Sequence, residues 1–127
     1  MMKREDRFIP IEVEACPWVQ SMLPNGAPKG VQYRRLLPGQ DGLPHFIYSR
    51  YEPNWTEVRH RHSEDEILIL VKGDITVDSV TYRAPTSIYV GRGTLYGPLT
   101  AGPDGVEFYR VAWTEEMLHP KTAAEQA

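Results

Sequence analysis

Apolar and polar positions alternate along most of this chain with a period of two. In EILILVK, Glu66, Leu68, Leu70 and Lys72 fall on one face of an extended backbone, and Ile67, Ile69 and Val71 fall on the other. The alternation predicts strands over Val31 to Leu37, His45 to Glu52, Thr56 to His62, Glu66 to Lys72, Ile75 to Val77, Thr81 to Arg83, Ser87 to Val90, Thr94 to Tyr96 and Val106 to Trp113. PGQDGLP (38–44), VKGD, VDSV and TAGPDG (100–105) supply turn residues between them. No stretch repeats, and no segment carries the period of a long amphipathic helix. Frequent short strands with such turns read as an all-β sandwich, jelly roll or small barrel. Residues 1–30 read as an extension with little regular structure, and EEMLHPKTAAEQA reads as a final helical turn followed by a frayed tail over 114–127.

Both faces of the 66–72 run carry apolar residues. A strand buried on both sides in so small a sandwich needs a second sheet or a second subunit over its outer face, so a homodimer is expected.

At 127 residues the chain is one domain, long enough to bury a single core. Its net charge of −3 offers no general attraction to phosphates or acidic membranes, which argues against nucleic acid and membrane partners. The start, MMKREDRFIPIEVEAC, is charged and lacks the apolar core of a signal peptide, and a cytoplasmic location is expected. The single cysteine, Cys16, has no partner for an internal disulfide and reads as a buried or half-buried thiol.

Candidate chemistry concentrates in RHRHSEDE, residues 59–66. His60 and His62 share one face of a strand while Arg59 and Arg61 point away. Glu64, Asp65 and Glu66 read in isolation as a solvated turn, but a chain that turns at SED and returns in the next strand brings Glu66 beside the histidines. Two neutral imidazoles and a carboxylate suit Fe(II), Mn(II), Zn(II) and similar ions, with open positions for substrate.

His60-x-His62-x3-Glu66-x6-Gly73 resembles the first motif of the cupin superfamily. The second motif is echoed in PTSIYVGRGTLYGPL (85–99). Pro85 stands at its leading glycine, Gly91 at its proline, Gly93 at its second glycine and Tyr96 at its histidine, with Gly97 and Pro98 completing it. Asn54 takes the place of the glycine that opens the first motif. The resemblance covers roughly residues 31–113. It is nearest to single-domain cupins related to the zinc-binding domain of anti-sigma factors and to small diketone-cleaving dioxygenases.

The resemblance implies a double-stranded β-helix, the cupin jelly roll, with a divalent metal held by His60, His62 and Glu66. Fe(II) comes first, with Zn(II), Mn(II) or Ni(II) also suited. It implies a dioxygenase-type oxidoreductase acting on a small organic molecule; a cupin isomerase or lyase, or a non-catalytic sensor module, are the alternatives. Tyr96 is the departure from the pattern. A neutral phenol is a poor ligand unless the metal lowers its pKa, so Tyr96 is assigned to the pocket as a hydrogen-bond donor or acid, with a phenolate ligand or a space-filling ring as alternatives.

His45 is expected at the core or rim, within reach of the pocket, and His119 in solvent. Tyr33, Trp55, Tyr89, Tyr109 and Trp113 are expected to be mostly core, with one or two of them walling a ligand pocket. Arg35 and Arg110 lie on alternating strands where an unpaired buried charge is costly, so each is expected to be outward or paired with a carboxylate, of the protein or of a substrate.

Overall fold

The computed structural model describes residues 7–119. Eight antiparallel strands make up nearly all of its regular structure: β1 (Trp18–Met22), β2 (Pro28–Pro38), β3 (His45–Tyr51), β4 (Thr56–Glu57), β5 (Asp65–Val77), β6 (Val80–Arg83), β7 (Thr86–Val90) and β8 (Leu99–Trp113). One helical turn, α1 (Glu115–Leu118), follows β8, with the Thr114 hydroxyl accepting from Met117 N at 3.1 Å as its N-cap. The all-β jelly roll is therefore as expected, and the chain beyond His119 lies outside the described residues.

The two longest strands build the fold. The first part of β5 pairs with β7 on one side and the last part of β8 on the other, and the sheet continues through β3 and β2 to β1. The end of β5 (Ile75 to Val77) pairs with β6 and with the start of β8 (Leu99 to Ala101), whose other neighbour is β4. Both strands thus pass from one layer to the other, and the sheet folds over itself.

That passage corrects two expected turns. VKGD and TAGPDG do not end strands; they are the irregular stretches at which β5 and β8 bend together, with register shifts at Leu70/Lys72 and Gly73/Ile75. Residues that make turns also make bulges, so composition alone does not separate the two. Gly73 has φ +75°, and a Cβ there would overlap the carbonyl of Gly105, which explains the glycine that closes the first motif. VDSV, by contrast, is a two-residue hairpin turn between β5 and β6, with Asp78 and Ser79 both at positive φ.

Regular structure begins earlier than expected. β1 and the first residues of β2 fall within the first thirty positions and form an antiparallel pair that extends the sheet. The short alternating run WVQSM was hidden by the prolines on either side. In the other direction, the expected strand over Thr56 to His62 is regular only at Thr56–Glu57, and Thr94 to Tyr96 contributes only an isolated bridge between Tyr96 and His60.

Between the layers lies a core built on Trp55, Leu68, Leu70, Ile75, Leu99 and Phe108, with the Tyr51 ring tilted against Trp55 at 4.2 Å between centroids and edge-on to Phe108. The outer face of the larger layer carries Phe46 and Tyr48, each against Tyr109, with the Arg34 and Arg50 guanidinium groups over the Trp18 ring. Tyr89, expected in the core, stands on this outer side and is 64% exposed, because its register opposite Ile67 puts it there. Among the described residues, no helix is long and apolar enough to cross a membrane.

Candidate functional site

The segment that follows β4 runs antiparallel to the 93–96 segment, with reciprocal backbone bonds between His60 and Tyr96 at 3.0 Å and Gly93 N donating to His62 O at 2.8 Å. This pairing brings the two sequence motifs together. Gly97, at φ +106°, permits it: a Cβ there would come within 3.1 Å of the Arg59 Cα. Asn54, at the position of the missing glycine, has φ +62°, a conformation that asparagine tolerates better than most side chains.

His60 and His62 converge. Their Nε2 atoms are 3.0 Å apart, and the rings meet edge to face. His60 Nδ1 lies 2.8 Å from the Val58 carbonyl, which can only accept, so Nδ1 carries a proton and, in the neutral ring, Nε2 presents the lone pair. Two nitrogens each about 2.1 Å from one ion at a right angle lie about 3.0 Å apart, so the spacing of the pair suits a shared divalent cation. A proton on His62 Nε2 satisfies the same contact.

Glu66 opens the inner face of β5 and is 1% exposed. Its Oε2 accepts from Arg110 Nε at 2.5 Å and its Oε1 from the Tyr96 hydroxyl at 2.9 Å. The carboxylate lines the same cavity as the histidines, of about 190 Å³, together with Glu57, Tyr51 and Arg110. It is nevertheless turned to Arg110 and Tyr96, and among the described residues no three His, Cys, Asp or Glu side chains are grouped closely enough to hold a metal. The donor chemistry and the histidine spacing fit a divalent metal; the carboxylate fits once one of its two bonds is given up.

Tyr96 projects into this cavity with its ring 4.6 Å from that of His60. Burial, then the charge of Glu66, pushes its phenol above the ordinary value, so the oxygen keeps its proton and donates it to Glu66. Tyr51 is raised likewise, by burial first and then by Glu57 and Glu66.

The other two acids have separate tasks. Asp65 accepts from Arg92 N and Nη2, both at 2.9 Å, and from the Tyr89 hydroxyl at 3.1 Å, which anchors the loop that leads to Tyr96. The Arg92 bonds, backbone first, hold its carboxyl below the usual carboxylate range. Glu64 lies 3.4 Å from His45 Nε2 and 3.7 Å from Arg110 Nη2, so His45 reaches the rim of the site only through Glu64. The SEDE acids are therefore not a solvated turn.

Arg110, Glu57, Tyr51 and Lys29 also line the cavity, and the sequence motifs did not assign them to it. The alternation Phe108, Arg110, Ala112 puts Arg110 on the face of two of the most buried residues, which was the available signal. Arg35 is exposed, over the Tyr33 ring, so the two arginines took opposite options. Cys16 is half-buried, and His119 is exposed near Glu115.

No protein-family model matches this chain, and no curated protein matches it in sequence. Solved structures do match it. An RmlC-like cupin from Shewanella frigidimarina aligns at 15% identity and a TM-score of 0.55, over 76% of this chain and 86% of that one. The polyketide cyclase RemF from Streptomyces resistomycificus aligns at 19% identity and a TM-score of 0.63, over 88% and 78%. Fe(II) HppE aligns at 14% identity and a TM-score of 0.66, over 85% of this chain and 62% of that one. At these identities the likeness establishes architecture. The chain has the cupin jelly-roll fold, and the resemblance first seen in the spacing of His60, His62, Glu66 and Gly73 holds at that level.

Proposed function

We propose that this chain is a metal-dependent cupin enzyme acting on a small organic molecule. His60, His62 and Glu66 hold one divalent ion, Fe(II) by preference, for dioxygenase-type oxidation. The observation that carries the reading is the 3.0 Å approach of the two Nε2 atoms inside a cavity that also contains a buried carboxylate. The similarity to a structure named as Fe(II) HppE supports it at the level of fold.

Such an ion, when bound, supplies Lewis acidity and, as Fe(II), the electrons that oxygen chemistry needs. The protein's own contributions follow from the geometry. The Val58 carbonyl fixes the His60 tautomer and ring orientation. Arg110 Nε donates to Glu66 Oε2 and orients the carboxylate in its buried position. Tyr96, neutral and within hydrogen-bond reach of Glu66, holds a proton that it can deliver to substrate when Glu66 turns away. Leu68, Leu70 and Phe108 close the inner wall against water.

The engagement of both Glu66 oxygens favours a second reading, a non-catalytic ligand-binding module in which Tyr96 and Arg110 close the carboxylate. Metal analysis of anaerobically purified protein, followed by oxygen-uptake screening against small dicarbonyl and phenolic compounds, separates the two. Oxygen consumption that depends on added Fe(II) is the expected result; no turnover with any metal overturns the enzyme reading.

The same proposal includes a homodimer. Its support is the outer face of β5, where Ile69 is 37% and Val71 40% exposed beside the aromatic cluster of β3 and β8. A solution mass of one chain at micromolar concentration would remove this part.

A further inference from the structure

The polar cavity at His60 and His62 has a neighbour of opposite character. A second cavity, of about 430 Å³, lies between β5, β6 and β7, walled by Leu68, Ile75, Val77, Ile88, Val90 and Leu99. Four residues belong to both walls: Leu68, Ile75, Leu99 and Tyr96. One side of Tyr96 therefore faces the imidazoles and the carboxylate, and the other faces an apolar chamber that reaches the surface beside the exposed rings of Tyr82 and Tyr89. Leu68, Ile75 and Leu99 are each less than a tenth exposed, so the partition lies inside the molecule.

We infer that the substrate is amphipathic: an anionic oxygen-bearing head sits in the polar cavity, and an apolar body of several carbons crosses beside Tyr96 into the second chamber. The head is argued from charge, and this step rests on the metal reading above. The polar cavity is lined by two carboxylates, Glu57 and Glu66, and two cations, Lys29 and Arg110, which cancel formally. A divalent ion at the histidines leaves an excess of two positive charges in a small, partly dry space. A carboxylate or enolate oxygen is the chemistry that offsets it. The body is argued from the walls: the chamber offers aliphatic side chains and a size within the ordinary range of ligand pockets, about 300–1,000 Å³. Tyr96 at the junction touches the substrate where head becomes body, which places its hydroxyl near the atoms next to the anionic group.

The test uses saturated straight-chain carboxylates, acetate to decanoate, titrated calorimetrically into protein loaded with redox-inert Zn(II). Affinity is expected to rise about fourfold for each added methylene, as burial of a CH₂ group provides, and then to level off when the chamber is full. Ile88→Trp, which fills the chamber from β7, should flatten the series to the acetate value with zinc content unchanged. Ile88→Ala, which enlarges it, should move the plateau to longer chains and guards against misfolding of the bulkier variant. A flat series on zinc-loaded wild-type protein overturns the inference and leaves the metal reading standing, as does a series indifferent to both Ile88 variants. Failure to hold zinc overturns the metal reading and with it the anionic head. Butanol to decanol, titrated into the metal-free protein, then decide the chamber alone, and absence of any chain-length dependence overturns that as well.

Discussion

On the inner face of β5 stand Glu66, Leu68 and Leu70; on its outer face stand Ile67, Ile69 and Val71. By apolarity the outer trio is the better core material. Yet Glu66 is 1% exposed and Leu70 fully buried, while Ile69 and Val71 keep more than a third of their surface. The inner face is set by how the sheet folds at Gly73 and Gly105, and Glu66 is accommodated there because Arg110 and Tyr96 reach it. The interior at this end of the barrel is thus a polar site walled by core. The outer face is a core-like surface that still lacks a cover.

If the two faces differ in this way, the largest effect should come from unpairing the inner one. Arg110→Met leaves the Glu66 carboxylate buried without its cation and should cost about 3–5 kcal/mol in urea unfolding, as for other buried pairs broken on one side. A loss under 1 kcal/mol would show that the pair is not a fixture of the folded interior. Next, Tyr96→Phe removes one phenol oxygen and keeps the ring. Turnover should fall by about a hundredfold with metal content intact if the hydroxyl is an acid. Metal loss in parallel with activity would make Tyr96 a ligand, and no change in either would make it a filler. The outer face gives the smallest change in stability. Ile69→Lys should leave the unfolding free energy within about 1 kcal/mol of wild type while halving the solution mass. An unaltered mass would move the interface elsewhere.

Much of this was legible in the chain. The spacing of His60, His62 and Glu66 places all three in one cavity, whereas Gly73, expected at a turn between two strands, stands at a bend inside one. The alternation along 66–72 identified two faces, but the choice between them depends on partners far away in sequence: Ala112 and Arg110 across the ladder, and Tyr96 across the loop. The same reason hid the continuity of β5 and β8. Gly73 and the run Gly102 to Gly105 carry turn chemistry, and only their mutual contact turns it into a bend. Arg110 was left open as outward or paired, because the carboxylate that decides the matter lies 44 positions earlier. Aromatic character alone reads Tyr89 as core, and only its register opposite Ile67 puts it on the outer side.

The central claim is that the facing imidazoles hold a divalent metal, and metal stoichiometry of anaerobically purified protein tests it most directly. Wild type is expected to carry one divalent ion per chain. Arg61→Ala, exposed and one residue away, should retain it, while His62→Ala, which removes one of the two nitrogens 3.0 Å apart, should lose most of it. Wild-type protein that stays metal-free after incubation with Fe(II), Zn(II), Mn(II) and Ni(II), or a His62→Ala variant that binds as well as wild type, would contradict the account.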